Sequence, residues 1–195
     1  MIIGITGGSG CGKTTLLDLI RQQSGLVLDC DAIYHGLLQN SKPLLCAIEA
    51  RFPGVVNEAG LDRKKLGSIV FADENALQDL NRITHSAVKE AVLAALETKP
   101  ALAAIDAIGL HEGGLAELCD VTVAVTATDE NRIARLMARE GITEEYARLR
   151  IAAQKSNEAF ASLCDRVLEN NDTAEQFIDK CFAFLQSLGI MKKTN

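Results

Sequence analysis

The residues with the clearest chemistry in this sequence form a glycine-rich run near its start. Residues 7–14 read Gly-Gly-Ser-Gly-Cys-Gly-Lys-Thr and match G-x-x-x-x-G-K-[ST], the pattern of a phosphate-binding loop. The glycines lack Cβ atoms, so the backbone N–H groups can close around oxyanions. Lys13 then reaches the β- and γ-phosphates, and the Thr14 hydroxyl binds Mg²⁺. The run therefore predicts a site for a nucleoside triphosphate and its magnesium ion.

The same loop contains a cysteine. Cys11 lies just before Gly12 and Lys13, and the helix that is expected to follow begins there. A neighbouring cation and a helix N-terminus both favour a thiolate, which predicts a readily alkylated thiol. The alternative is a side chain turned into the protein. The residues expected to bind the nucleoside triphosphate in this loop are Gly8, Gly10, Cys11, Gly12, Lys13, Thr14 and Thr15.

Three carboxylates lie at the ends of predicted strands. Active sites of open parallel sheets lie at the carboxyl ends of the strands, so these side chains are expected near the phosphates. Asp31 is the candidate general base that accepts the proton of an attacking hydroxyl, whereas Asp29 is expected to cap the next helix or to support the site. Asp106 is the candidate Mg²⁺ ligand, usually through water. The D-x-x-G at residues 106–109 also occurs in GTPases, but the sequence contains no N-K-x-D guanine motif.

Arginines concentrate after the fourth strand of the predicted sheet. Arg132, Arg135 and Arg139 are three and four residues apart, so one helix face presents them. Arg132 is interpreted as part of a solvated charged face, paired with acidic neighbours. Arg139 precedes a break at Glu140-Gly141, and there we expect the tip of a lid whose cations close over the phosphoryl group.

Alternating apolar runs and helical patterns position these residues. Strands are expected at 2–6, 26–30, 101–105, 121–125 and 166–168, because apolar runs without polar alternation fit a parallel sheet covered on both faces. Helical periodicity indicates a long helix over 73–97, two shorter ones before it, and a last helix opened by a capping box at 173–176. The predicted fold is a three-layer αβα P-loop kinase fold with a five-stranded parallel sheet, a helical insertion and a short lid.

Composition sets outer limits on function. The chain has 195 residues, 48% of them hydrophobic, and a net charge of −6. No basic surplus is present to neutralise nucleic-acid phosphates, and no apolar run is long enough for a membrane span, so neither partner is expected. The six cysteines show no C-x-x-C spacing, which indicates free thiols in a reducing cytoplasm. The sequence does not indicate an oligomeric state.

Six segments share the pattern of one kinase family. They are residues 6–15 for the glycine loop, residues 29–31 for D-x-D, residues 80–85 for L-x-x-x-x-H, residues 106–112 for D-x-P-L-L-F-E, Arg139 with residues 150–154 for a lid arginine and R-I-x-x-Q, and residues 167–170 for V-I-D-N. Over residues 3 to about 171 the chain resembles dephospho-coenzyme A kinases. Members of that family phosphorylate the ribose 3′-hydroxyl of dephospho-coenzyme A, the last step of coenzyme A biosynthesis.

The resemblance implies a single kinase domain with divided roles. Asp31 would be the catalytic base, Lys13 and Arg139 would offset charge on the transferred group, and Asn170 would lie at the adenine of ATP. The core would comprise residues 1–40 and 100–195, the insertion at about 41–99 would bind the acceptor, and the lid would span about 132–156. The chain departs from the family pattern at Ile108, Gly109, Ser86, Asp172 and Phe160; Phe160 replaces a lid cation and is expected to pack.

Two other functions stay open from the sequence. One is a different P-loop small-molecule kinase, such as a uridine kinase, which has a similar glycine loop. The other is a nucleotide-binding regulator that has lost turnover. A screen of acceptor alcohols separates the kinases, and measurable phosphorylation of any acceptor excludes the regulator.

Overall fold

The computed structural model describes residues 1–191, and a five-stranded parallel sheet lies at its centre. The strands of the described chain are β1 Ile2–Thr6, β2 Leu26–Asp29, β3 Val56–Asn57, β4 Gly60–Leu61, β5 Ala103–Asp106, β6 Val121–Thr126 and β7 Arg166–Glu169. The sheet order is β2-β5-β1-β6-β7, and β3 pairs with β4 in a separate antiparallel hairpin. The predicted α/β fold with a five-stranded parallel sheet is confirmed; the hairpin was not predicted.

The central strand β1 places the glycine loop in the middle of the sheet. It pairs in parallel with β5 on one side and with β6 on the other. Gly4 in β1 leaves room for two side chains from outside the sheet, because a Cβ there would lie 2.8 Å from Cys119 Sγ and 2.9 Å from Leu110 Cδ2. The carboxyl ends of β1 and β5 therefore lie side by side, with Ile5 in register with Asp106.

Helices fill the intervals between the strands. They are α1 Lys13–Gln22, α2 Cys30–Asn40, α3 Lys42–Arg51, α4 Arg63–Val70, α5 Glu74–Leu96, α6 Asp129–Glu140, α7 Glu144–Ala152, α8 Asn157–Leu163 and α9 Ala174–Ser187, with a short 3₁₀ helix at Ala116–Leu118. The long helix α5 agrees with the helix that periodicity predicted over 73–97, and the structure adds that Asp73 caps its first turn. The predicted capping box of Thr173 and Gln176 opens α9.

The chain divides into two compact units. The first comprises Met1–Leu28, Pro100–His111 and the chain from Leu115 onward. Its core packs β1, α1 and α9 together through Ile3, Ile5, Leu16 and Phe177. The sheet and the glycine loop thus share one apolar core, which fixes where the loop begins and ends.

The second unit is mainly helical. It comprises Asp29–Lys99 with Glu112–Gly114, and so contains α2 to α5 and the hairpin. Its core is separate and includes Leu44, Ile48, Phe52 and Val55. Among residues 1–191, no helix combines the length and the apolar character that crossing a membrane takes.

Candidate nucleotide-binding site

The glycine loop connects the end of β1 to the start of α1. The N-cap of α1 is Gly12, and it makes no side-chain capping hydrogen bond. The first N–H groups of a helix have no intrahelical acceptor, and the helix dipole adds partial positive charge there. Thr14 lies exposed in this first turn, and Thr15 beside it is half-buried. The start of α1 is thus suited to an anionic group such as a phosphate.

Two loop positions require glycine for different reasons. Gly7 has a φ of +138°, and a Cβ on it would lie 2.1 Å from the backbone oxygen of Val125 in β6. Gly12 has a φ of +95°, and its Cβ would lie 2.2 Å from Asn170 Nδ2. Left-handed backbone and close contact together exclude a side chain at both positions. The loop therefore lies directly against β6 and the end of β7.

Lys13 and Asp106 come together beside the loop. Lys13 Nζ donates to the backbone oxygen of Gly7 at 2.8 Å and lies 3.9 Å from Asp106 Oδ1. Both side chains are largely buried, with 15% and 17% exposure. The adjacency of β1 and β5 explains the pair, because Asp106 is the last residue of β5 and Lys13 ends the loop that follows β1. A cation and a carboxylate are thus held next to the candidate phosphate site.

Asn170 lies under the loop. Its side chain is 6% exposed, Nδ2 donates to the Cys11 carbonyl at 2.9 Å, and Oδ1 accepts from Arg135 Nη2 at 3.1 Å. Arg135 also donates to the carbonyl of Gly10 at 3.3 Å. The predicted adenine contact of Asn170 stays a prediction. Its contact with the loop was missed, and only its place at the end of the last strand could have indicated it.

Arg132 corrects one interpretation of the sequence. It was expected on a solvated charged face, but its exposure is 2% and its Nε donates to the carbonyl of Ser9 at 3.0 Å. The expectation was wrong because Leu136, one helical turn further along α6, is fully buried and faces the same way. The signal was present in the sequence, since Arg132 precedes this leucine by four residues.

Cys11 corrects a second expectation. Its side chain has no exposed surface, and burial raises the pKa of the thiol although Arg132 and Lys13 act to lower it. Desolvation outweighs the nearby cations here, so the thiol is the charge-neutral form at neutral pH. The predicted reactive thiolate is wrong, and the predicted contact of Cys11 with the nucleotide stays a prediction for its backbone alone.

Arg139 lies at the expected helix end. It is in the last turn of α6, which stops at Gly141 in left-handed conformation with a φ of +67°. Arg139 Nη2 contacts Glu140 Oε1 at 2.5 Å, and Arg150 of α7 contacts the other oxygen of Glu140. A hydrogen bond from Arg139, and to a smaller extent one from Arg150, lowers the pKa of Glu140. The two arginines expected in a lid are therefore both held by the carboxylate at the end of α6.

The two aspartates after β2 have different surroundings. Asp29 is the N-cap of α2, and its Oδ1 accepts from the N–H of Ala32 at 2.9 Å. The capping role expected for Asp29 is confirmed. Asp31 lies in the first turn of the same helix with an exposed side chain. Phe160, in α8, is 2% exposed and packs as expected.

Comparisons with known proteins agree with the geometry. The family model described as CoaE, dephospho-CoA kinase, matches residues 1–176. A dephospho-CoA kinase of Thermobifida fusca is 36% identical over 178 residues, which cover 89% of each chain. The solved structure of TT1252 from Thermus thermophilus has a TM-score of 0.81 at 30% identity and covers 96% of this chain and 97% of that one.

A second solved structure supports the fold alone. The dephospho-CoA kinase from Campylobacter jejuni has a TM-score of 0.65 at 22% identity, over 97% of this chain and 98% of its own. The family match covers the glycine loop, helices α6 and α7 and the last strand, which are elements of the candidate site. On this evidence the chain belongs to the dephospho-CoA kinase family.

Proposed function

We propose that this site transfers the γ-phosphoryl group of ATP to the ribose 3′-hydroxyl of dephospho-CoA, with ATP bound on residues 7–15. The observation that carries the assignment of roles is the pairing of Lys13 with Asp106 beside a glycine loop in a member of this family. The loop N–H groups and the start of α1 would hold the phosphates. Lys13 would move from the Gly7 carbonyl to the β- and γ-phosphates, a short displacement within the same loop.

A magnesium ion fits the residues beside the loop. Asp106 supplies a carboxylate and Thr14 an exposed hydroxyl, and oxygen ligands of this kind are those that Mg²⁺ takes. In this proposal Thr14 binds the ion directly and Asp106 holds it through water. When bound, Mg²⁺ offsets negative charge on the β- and γ-phosphate oxygens. Lys13, already next to Asp106, would add a second positive charge on the same phosphates.

Asp31 is the proposed catalytic base. The oxygen of the 3′-hydroxyl attacks phosphorus as its proton passes to the Asp31 carboxylate, the bond from phosphorus to the β–γ bridging oxygen breaks, and ADP leaves. Asp29 is less suited to this role because its carboxylate accepts the Ala32 N–H at the start of α2. Arg139 would leave Glu140 to offset charge on the transferred group.

The helical region at about 41–99 is proposed to bind the acceptor. Residues 1–40 and 100–195 would form the core, and residues of about 132–156 within that core would form the lid. The helical region contributes to an open groove of about 550 Å³ between α2, α3 and α5, whose apolar lining includes Leu37, Leu44, Ile83 and Ala87. A pantetheine chain, which is mostly apolar with spaced amides, suits such a groove.

We further propose a cytoplasmic protein, since all six cysteines are free, and one without nucleic-acid partners, given the net charge of −6.

One experiment tests this function. ADP release is measured with Mg-ATP and equal concentrations of dephospho-CoA or uridine, and the position of the new phosphate is read by NMR. We expect turnover with dephospho-CoA and a phosphate on its 3′-oxygen. Preferred turnover of uridine would replace the acceptor, and no turnover with any alcohol would leave a nucleotide-binding protein without this activity.

A further inference from the structure

Every polar group of Ser9 in the glycine loop is held by two side chains from outside the loop. Its N–H donates to Gln154 Oε1 at 2.9 Å, its Oγ accepts from Gln154 Nε2 at 2.8 Å, and its carbonyl accepts from Arg132 Nε at 3.0 Å. Arg132 Nη2 also donates to Gln154 Oε1 at 3.0 Å. The three side chains thus form a closed set of four hydrogen bonds, which we call the Ser9 bracket.

The bracket leaves little freedom to its members. Gln154 Oε1 accepts two hydrogen bonds and Nε2 donates a third, so the amide has one orientation that satisfies them all. Arg132 is 2% exposed, and a buried guanidinium needs acceptors for its N–H groups. Asp129 supplies one acceptor at 3.1 Å, and Ser9 and Gln154 supply the others. Loss of either partner would therefore leave a buried cation with fewer acceptors.

The glycine at position 8 makes room for the bracket. A Cβ on Gly8 would lie 2.3 Å from Arg132 Nη2 and 3.0 Å from Gln154 Oε1. Gly8 does not have a positive φ, so backbone conformation alone does not require glycine there. The close contact with Arg132 is what requires glycine at this position. A side chain at Gly10 would also clash with Arg132, because its Cβ would lie 2.8 Å from the backbone oxygen of that residue.

The bracket also connects the loop to both ends of the lid. Arg132 lies in the first turn of α6, and Gln154 follows the end of α7 by two residues. Between them, α6 and α7 pack through Ile133, Leu136 and Ile151. The free tip with Arg139 and Glu140 lies at the other end of α6. The base of the lid is thus fixed to the loop, while its tip carries the exposed cations.

We infer that Arg132 and Gln154 are positioning residues of the reaction, which hold the Ser9 peptide and with it the phosphate-facing conformation of the loop, and which anchor the base of the lid to that loop. Neither needs to touch ATP in this role. The inference rests on the proposed binding of ATP to residues 7–15. A misplaced loop would misplace the γ-phosphate, and errors of about 1 Å in such positions cost on the order of 10²-fold in rate.

The first test needs no nucleotide and no activity. Hydrogen exchange of the nucleotide-free protein is followed by mass spectrometry in wild type, Arg132→Met, Gln154→Met and the control Arg148→Met. Arg148 is an exposed arginine of α7 that pairs with Glu144 and does not contact the loop. We expect exchange in residues 8–12 to accelerate about tenfold in the first two variants, as loss of a hydrogen bond predicts, and to stay unchanged in the control. Unchanged exchange in Gln154→Met would overturn the inference.

The second test is kinetic. In Arg132→Met and Gln154→Met, kcat/KM for ATP should fall about 10- to 100-fold while KM for dephospho-CoA changes less than about threefold. Since both residues act through Ser9, the double variant should be no worse than the poorer single one. Additive losses, or values within threefold of wild type, would contradict shared positioning. If Arg132→Met fails to fold, Ser9→Ala, which lacks the Ser9 hydroxyl, replaces it. Ser9→Ala, Gln154→Met and the double variant are then compared, and the double variant should again be no worse than the poorer single one.

The two tests separate this inference from the proposed function. A wild-type protein that turns over no alcohol refutes the function, but the exchange experiment still reports on the bracket. A wild-type protein that is active, with exchange and kinetics unaltered in Gln154→Met, refutes the bracket and leaves the function in place.

Discussion

Lys13 is the loop residue whose loss should affect chemistry most and folding least. Its ammonium lies within the loop, bonded to the Gly7 carbonyl and 3.9 Å from Asp106, rather than in the apolar core. Lys13→Ala should therefore lower kcat by on the order of 10³-fold, comparable to loss of an arginine that meets transition-state charge. Circular dichroism and the melting temperature should stay near wild type. Steady-state ADP release measures the loss, and activity within a few-fold of wild type would contradict the assigned role.

The aspartates after β2 offer a matched pair of variants. Asp31→Asn keeps the shape of the side chain but removes the proton acceptor, so kcat should fall by about 10² or more with little change in ATP affinity. Asp29→Asn preserves a capping oxygen for the Ala32 N–H and should cost much less. Rapid-quench kinetics with each variant gives the comparison. Greater damage from Asp29→Asn would show that the two roles are reversed.

Residue-level prediction succeeded where the sequence pattern fixed the neighbours. The glycine loop, Lys13 and Asp106 were predictable, because a strand, a loop and a helix in that order bring them together at adjacent strand ends. Cys11 and Arg132 were interpreted wrongly, since both depend on packing across the first unit. Spacing alone does not show whether a helix face meets solvent or a loop more than 120 residues away in sequence.

At the scale of elements, the end of α6 carries a carboxylate beside the arginine that is proposed to bind the transferred phosphoryl group. Glu140 holds both Arg139 and Arg150 at the end of α6 and at α7. Its lowered pKa means that the carboxylate stays ionised through neutral pH, and the pairing is lost only as the pH falls through that lowered value. In the proposed mechanism, Arg139 leaves this carboxylate before it binds the transferred group.

Glu140→Gln should therefore ease lid closure. The pairs are partly exposed and hence weak, so we expect KM for ATP to fall by about two- to fivefold at neutral pH, and the difference from wild type to shrink in acid. Glu144→Gln is the matched control, since Glu144 pairs only with Arg148 on α7 among the described ion pairs. Initial rates across ATP concentrations decide the matter. A KM that rises in Glu140→Gln would mean that the carboxylate organises the arginines instead of competing for them.

The helices and the hairpin show which kinds of sequence pattern predict local structure correctly. The extent of α5 followed from its apolar periodicity, and the start of α9 followed from the capping box of Thr173 and Gln176. The hairpin of β3 and β4 was missed because each strand has two residues, too short for any alternation to register. Capping is a local interaction and can be predicted from sequence, whereas such a short pairing depends on the surrounding helices.

At the scale of the whole molecule, the two compact units have separate cores. The first contains the glycine loop, Asp106 and helices α6 and α7, and the second contains Asp31 and the apolar groove beside α5. The proposed roles follow this division, with ATP on the first unit and the pantetheine portion of the acceptor on the second. Each ligand should then stabilise its own unit, because a ligand that binds only the native form suppresses local opening.

Hydrogen exchange with one ligand at a time tests that division. Mg-ADP should slow exchange in residues 7–15, and dephospho-CoA alone should slow it within residues 29–99, above all in the helices that line the groove. At ligand concentrations near 100 times Kd, protection from opening should approach about 100-fold, because only the unliganded fraction opens. Uridine at the same concentration is the control and should leave residues 29–99 unchanged. Dephospho-CoA that protects residues 7–15 but not 29–99 would place the acceptor outside the helical unit, whereas uridine protection of that unit would favour a nucleoside acceptor.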